Sequence, residues 1–345
     1  MNLLDVYEPS RENHTVDLNA TVGMEMIWVE PGTFIMGSPL NEQDRRTDET
    51  EHNVTLSEGF FLGKFEVTQS QYEAVMIGNQ KQLSPTPSHF QGNPSFPVEN
   101  VSYDDIQVFI NRLNELEAEN LSSIWRYSLP TEAQWEYACR AGTTTAYSWG
   151  DKISASDANW KYSNDVNSST EVGSYLANPW GFHDMHGNAA EICADWYGAY
   201  PSGSIIDPIG QENGTEKVFR GGSWRTPVSG TYVRSACRFK NPVDFKQNNI
   251  GFRLALIKVN DSPTDLNTTA ALAFQENQPV GTVIGEFNAT DPDANATLSY
   301  ALIDGNGSID NQLFTLEQNG TLKTCLLYTS PSPRDLSTSR MPSSA

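Results

Sequence analysis

FRGGSWRTPVSGTYVRSACRFKNPVDFKQNNIGFRL, from Phe219 to Leu254, is the stretch on which the reading of this chain turns. Gly221-Gly222 permit a tight, close-packed backbone passage. Ser223, Trp224 and Arg225 then set a hydroxyl, an indole and a fixed-charge fork side by side. A polar loop follows, then Arg234, Arg238 and a closing Gly251-Phe252-Arg253. By residue chemistry alone this is a pair of core strands joined by a long surface loop.

The totals bound what surrounds it. At 345 residues the chain is long for one domain, so two are expected. A net charge of −21 opposes nucleic-acid binding. The aromatic share, 10%, is too high for a disordered chain. No apolar run reaches membrane-spanning length. The start, MNLLDVYEPSRENH, has neither the basic residues nor the apolar run of a signal peptide, and residues 1–22 read as a polar linker. At the other end, CLLYTSPSPRD from Cys325 and SRMPSSA from Ser339 resemble in-frame translations of a sequencing adapter, so residues 325–345 are set aside as an artefact. Cys139, Cys193 and Cys237 remain, an odd number that allows at most one disulfide, and none has zinc-site spacing.

Met26–Val29 and Thr33–Gly37, flanking Pro31-Gly32, read as strand, turn and strand. Asn41–His52 reads as a charged loop and Phe60–Val67 as a strand, after which Thr68 can cap a helix through Gln69–Met76. Ser102 and Asp105 have capping-box spacing. Ile106, Phe109, Ile110, Leu113 and Leu116 then recur at helical spacing as a core face. Arg126–Leu129 reads as a short strand, and Thr131 with Gln134 caps a further helix. The next hundred residues, dense in Gly, Trp, Tyr and Asn, suggest irregular loops held by buried aromatics and bound ions.

Asp184-Met185-His186-Gly187-Asn188-Ala189-Ala190-Glu191 places two carboxylates and an amide around a glycine. Hard oxygen donors and free carbonyls of this kind suit calcium, although an ordinary Asx-rich turn accounts for the same residues. His183 and His186 lack a third ligand and read as structural. No nucleophile elbow, phosphate loop or dinucleotide fingerprint is present.

The order RGGSW, RSACR, NNIGFRLA resembles the C-terminal signature of the formylglycine-generating enzyme, or sulfatase-modifying factor, family. Trp28, Gly32, Phe34, Met36 and Gly37, then Phe60, Glu66, Val67, Thr68 and Tyr72, then LPTEAQWEYACRAGT and NPWGFHDMHGNAAEI, match it in the same order. The resemblance implies an α+β, C-type-lectin-like fold with little regular secondary structure, over residues 23–258. It also implies calcium ligation by the side chains of Asp184 and Glu191 with the carbonyls of Gly187 and Ala189. A second calcium site is implied at Asn159 and Trp160, with Asp165 as its acidic partner. Active members carry two cysteines in the loop that is here Trp224–Val233, which has none. They also have aromatic residues where Ala190 and Ile192 stand. The expectation is therefore a binding or structural module for a protein or peptide ligand, with copper not expected and with Ser223, Trp224, Arg225 and Arg234 as the candidate cleft. The competing reading is an oxidoreductase acting on a sulfatase cysteine or another substrate. The family also tethers the TEAQWEYAC helix to the RSACR strand, which implies a Cys139–Cys237 disulfide in an exported protein.

Residues 259–324 carry short strand patterns with turns between them, as in an all-β sandwich. VNDSPT, FQEN, DPD and LSY resemble the first part of a cadherin-type repeat. That resemblance implies calcium ligation by Glu276, Asp291 and Asp293, with Asp261 joining them, and an extracellular or cell-surface location; a solvated acidic turn explains the same residues.

Overall fold

A computed structural model describes residues 11–122, 124–161, 167–226, 231–259, 264–268, 279–290, 298, 300–302 and 313–325. The chain divides into two compact units, Met1–Lys258 and Val259–Ala345.

The first unit is mostly sheet with few helices. In chain order its elements are β1 (His14–Asp17), β2 (Gly23–Val29), β3 (Gly32–Met36), β4 (His52–Leu56), β5 (Phe60–Gly63), α1 (Gln69–Met76), α2 (Tyr103–Glu117), β6 (Trp125–Ser128), α3 (Glu132–Arg140), β7 (Ala190–Trp196), β8 (Ile205–Ile206), β9 (Glu216–Arg220), β10 (Arg238–Pro242), β11 (Ile250–Gly251) and β12 (Ala255–Lys258). They form sheets in the orders β1-β2-β5-β12-β6, β10-β9-β7-β11 and β3-β4-β8.

The strands alternate between two cores because successive side chains leave a strand on opposite faces. Phe61 of β5, Met26 of β2 and Leu256 of β12 enter one apolar cluster with Tyr72, Phe109 and Phe252. Their neighbours Phe60, Leu62, Ile27 and Ala255 enter the other, around Trp135, Phe182 and Val218. The five-stranded sheet is therefore covered on both faces. All three helices start with the reciprocal capping box that their sequences specify, at Thr68/Gln71, Ser102/Asp105 and Thr131/Gln134. Tyr72 of α1 stacks on Phe109 of α2 with ring centroids 5.2 Å apart.

The strand, turn and strand around Pro31-Gly32 are present as β2 and β3, and the turn passes the chain from the five-stranded sheet to the three-stranded one. Other local expectations need correction. β5 stops at Gly63, short of Val67. The charged stretch ends in strand β4, since His52 pairs with Met36. Leu116 is exposed, because α2 turns its last apolar position away from the core.

The second unit contains β13 (Thr264–Thr268), β14 (Val283–Thr290), β15 (Phe314–Leu316) and β16 (Thr321–Thr324), in one antiparallel sheet ordered β13-β14-β16-β15. Glu276, Asp291, Asp293 and Asp261 lie outside the described residues, as do residues 326–345.

Candidate functional site

The opening stretch begins in the last two residues of β9 and returns as β10, paired with Arg220 opposite Arg238. β7 lies on the other edge of β9 and carries the Asp184–Glu191 segment into the same sheet. The turn before β7 needs three left-handed residues: φ is +58° at Asp184, +101° at Gly187 and +58° at Asn188. Asp and Asn tolerate this region through local hydrogen bonds, whereas Gly187 is required sterically. A Cβ there would lie 2.3 Å from the Asn159 carbonyl oxygen.

Asn188 is fully buried and ties four segments together. Its N–H donates to Asn159 O at 2.8 Å, and its carbonyl accepts from Trp224 N at 2.9 Å. Its Oδ1 accepts from Thr170 N at 2.9 Å, and its Nδ2 donates to Glu66 Oε2 at 2.7 Å. The two segments expected to bind calcium and the GGSW passage thus meet at one amide. Residue chemistry pointed to the acids of this region but not to Asn188 as its centre. The signal available in the sequence was the Gly187-Asn188 pair, two residue types that favour turns.

Three carboxylates are buried around this turn. Glu66 accepts from Ala189 N at 2.8 Å as well as from Asn188. Glu191 receives Arg253 through two bonds, Nε to Oε2 at 2.6 Å and Nη2 to Oε1 at 2.7 Å. The Trp135 indole also donates to Glu191 Oε2, at 2.7 Å. Among the described residues Asp184 accepts one bond, from Gly173 N at 2.7 Å. Burial raises Asp184 to about 6, against the hydrogen bond from Gly173 and the charge of Arg253. Burial, followed by the charges of Asp184 and Glu191, pushes Glu66 well above the usual carboxylate range. Three acids facing one guanidinium are short of positive charge, which a hard cation or a proton can supply.

Among the described residues, no three His, Cys, Asp or Glu side chains converge to hold a metal by themselves. A calcium ion here would draw on Asp184 and on the Gly187 and Ala189 carbonyls. Glu191 would have to share oxygens that Arg253 and Trp135 already engage. Trp160 sits in a small apolar cluster with Ala146, Tyr147, Ala158 and Val233. Its expected partner Asp165 is outside the described residues.

The GGSW passage separates its candidates. Ser223 is buried, and its Oγ accepts from Asn249 Nδ2 at 2.9 Å. Trp224 is half-buried, donates to Asn248 O at 3.2 Å, and meets Phe90 edge to face with centroids 5.4 Å apart. Arg225 is exposed. Arg234 is 2% exposed and bonded to Glu49 through both terminal nitrogens, at 3.0 and 2.9 Å, as well as to Glu42. Its side chain is a structural cross-link rather than part of an open cleft with Arg225.

Cys139, Cys193 and Cys237 are buried free thiols, so the expected Cys139–Cys237 bridge is not present. Cys139 Sγ lies 3.6 Å from His186 Nε2. Burial pushes Cys139 and Cys237 up to about 12, and Cys193 well above its usual value. The His186 ring bonds to Val233 O through Nδ1 at 2.7 Å, and its Nε2 accepts from Ser148 N at 3.2 Å. His183 Nδ1 bonds elsewhere, to Tyr175 O at 2.8 Å. The two histidines therefore share no partner in these bonds.

A family model described as sulfatase-modifying factor enzyme 1-like domain matches residues 13–258. The chain is 31% identical over 244 residues to serine/threonine-protein kinase pkn1 of Chlamydia caviae, covering 67% of this chain and 38% of the kinase. It is 32% identical over 185 residues to the formylglycine-generating enzyme of Streptomyces coelicolor, covering 49% of this chain and 55% of the enzyme. The solved structure of PvdO from Pseudomonas aeruginosa superposes with a TM-score of 0.63 at 26% identity, covering 72% of this chain and all of that one. The chain thus spans little more than a third of that kinase and about half of that enzyme.

Proposed function

The chain belongs to the sulfatase-modifying factor enzyme 1-like domain family, and from that premise we propose that its first unit is a non-catalytic, calcium-stabilised binding module of an exported or cell-surface protein. The observation that carries this reading is the state of the thiols. Thiolate is the reactive form of cysteine, so oxidation at a cysteine pair needs accessible, ionisable sulfur. The Trp224–Val233 loop has no cysteine, and all three cysteines of the unit are buried thiols that burial holds protonated. The partly exposed Trp224 beside the exposed Arg225 supports recognition of a protein or peptide, since aromatic and arginine side chains dominate such contacts. The unmet negative charge around Asp184 supports calcium. The cadherin-like pattern of the following residues supports the cell surface. Among the described residues, no helix is long and apolar enough to cross a membrane.

Incubation with copper, oxygen, reductant and a Cys-x-Pro-x-Arg peptide will give no aldehyde above a no-protein control; aldehyde formation would overturn the non-catalytic reading. Selection from a random-peptide library will enrich binders that Trp224→Ala and Arg225→Ala both release. Failure to enrich any such binder would remove the recognition role.

A further inference from the structure

A cavity of about 320 Å³ lies between the start of α3, the end of β7, β4 and the chain from Gly198 to Gln211. It shares none of the residues of the Trp224 loop. Most polar groups on its wall are already satisfied. Glu132 receives Arg238 through two bonds, at 2.8 and 2.6 Å, and the Tyr200 hydroxyl at 3.1 Å. Arg238 also donates to Gly198 O at 2.9 Å. Both Asp207 oxygens are held by Ser57.

Two acceptors are left over. Asp195 is 4% exposed; its Oδ2 accepts from Glu132 N at 2.8 Å, and its Oδ1 has no hydrogen bond among the described residues. His52 is 7% exposed and bonds to Thr50 O through Nδ1 at 3.0 Å. A carbonyl only accepts, so Nδ1 carries the proton, and Nε2 of the neutral ring is an acceptor with no partner among the described residues. Both side chains line the cavity. Neither free atom is closed off from solvent, so both open into the cavity, where a ligand that donates hydrogen bonds can take the place of water.

The remaining wall selects the rest of the ligand. Met36, Ala133 and Ile205 supply apolar surface, and Ile209, also lining the cavity, is 73% exposed. Among the described residues, an anion has no free cation on this wall to meet. Arg238 is spent on Glu132, and the Lys217 ammonium, beyond the wall, donates to Ala194 O at 2.7 Å and lies 3.8 Å over the Trp196 ring. A metal ion is not served either, since no three ligating side chains converge among the described residues.

We propose that this cavity binds an aliphatic primary amine, with its ammonium on Asp195 Oδ1 and His52 Nε2 and its stem along Met36, Ile205 and Ile209. The same chemistry is offered by a free alkylamine and by a lysine side chain of a peptide.

Calorimetric titration of the full chain at about pH 8.5, where Asp195 is ionised and an alkylamine or a lysine keeps its proton, tests this with n-pentylamine, n-pentanol, a lysine-containing peptide and the same peptide Nε-acetylated. At least one amine will bind saturably with one site per chain. Its uncharged counterpart will bind at least about tenfold more weakly, a difference of about 1.4 kcal/mol. Saturation by pentylamine assigns the source to small amines, and saturation by the peptide alone assigns it to protein lysines. Asp195→Asn will weaken binding about tenfold or more, with its near-ultraviolet circular dichroism confirming the fold. Ile209→Ser, at an exposed position, will weaken it severalfold without touching the core. No saturable binding by either amine, equal binding of charged and uncharged partners, or unchanged affinity in either folded variant would overturn the proposal.

Discussion

Glu191 and Arg253 form a two-point ion pair, 2.6 and 2.7 Å, with both side chains almost completely buried. It links β7 to the end of the Phe219–Leu254 stretch. Arg253 also donates to Gly63 O at 3.0 Å and to His183 O at 2.9 Å, so one guanidinium joins β5, β7 and the loop before β7. A planar fork of five donors serves this junction in a way that a lysine could not.

Arg253→Met will leave Glu66, Asp184 and Glu191 without their shared counter-charge. Breaking a buried pair from one side costs about 3–5 kcal/mol, a large share of a typical stability of roughly 5–15 kcal/mol. Urea denaturation at pH 7.5 measures it; a loss below about 1 kcal/mol would show that the pair adds nothing net.

Thiol titration separates buried from accessible sulfur. Cys139, Cys193 and Cys237 are all buried. An aromatic disulfide reagent will therefore leave these three unlabelled in the native chain and label all of them in denaturant. Rapid native labelling of Cys139, Cys193 or Cys237 would contradict the burial that keeps them protonated.

Stability will fall as pH rises toward neutrality. Asp195 is raised to about 7 by burial and then by Glu132, against Arg238 and Lys217. A raised carboxyl binds its proton more tightly when folded, so its stabilising effect is present at low pH and is lost as pH climbs through its folded value. Asp184, at about 6, acts in the same direction. His186, lowered to about 4 by burial, opposes them below about pH 6.5, where the unfolded chain takes up the proton. Asp195→Asn isolates the first group. Its melting temperature relative to the parent will rise from pH 5 to about pH 7 and level off above that, and a flat difference across pH 5–7 would refute the assignment.

Calcium stabilisation will share that pH dependence with the opposite sign, because the ion needs Asp184 ionised. At a hundredfold excess over Kd, binding adds about 2.7 kcal/mol. Chelator will lower the melting temperature at pH 7.5 and have little effect at pH 5. Asp184→Asn will reduce the response, which also separates this site from the acids of the second unit. An equal chelator response in parent and variant would remove Asp184 from calcium binding.

Local chemistry decided much of the first unit before any tertiary contact. The three capping boxes were legible because a cap and its partner sit three residues apart in the same chain segment. The strand pair around the GGSW loop and the family were legible from the order of short motifs. The roles of the arginines were not. Arg234 reads in sequence as a neighbour of Ser223, yet it pairs with Glu49, 185 residues away. Arg253 reads as the end of a strand signature, yet it neutralises Glu191 across 62 residues. The cavity at Asp195 and His52 joins β7 to β4 and leaves no periodic trace. Side-chain type and short spacing express what a segment can do alone, while charge pairing and desolvation depend on which distant segments the folded backbone brings within a few ångströms.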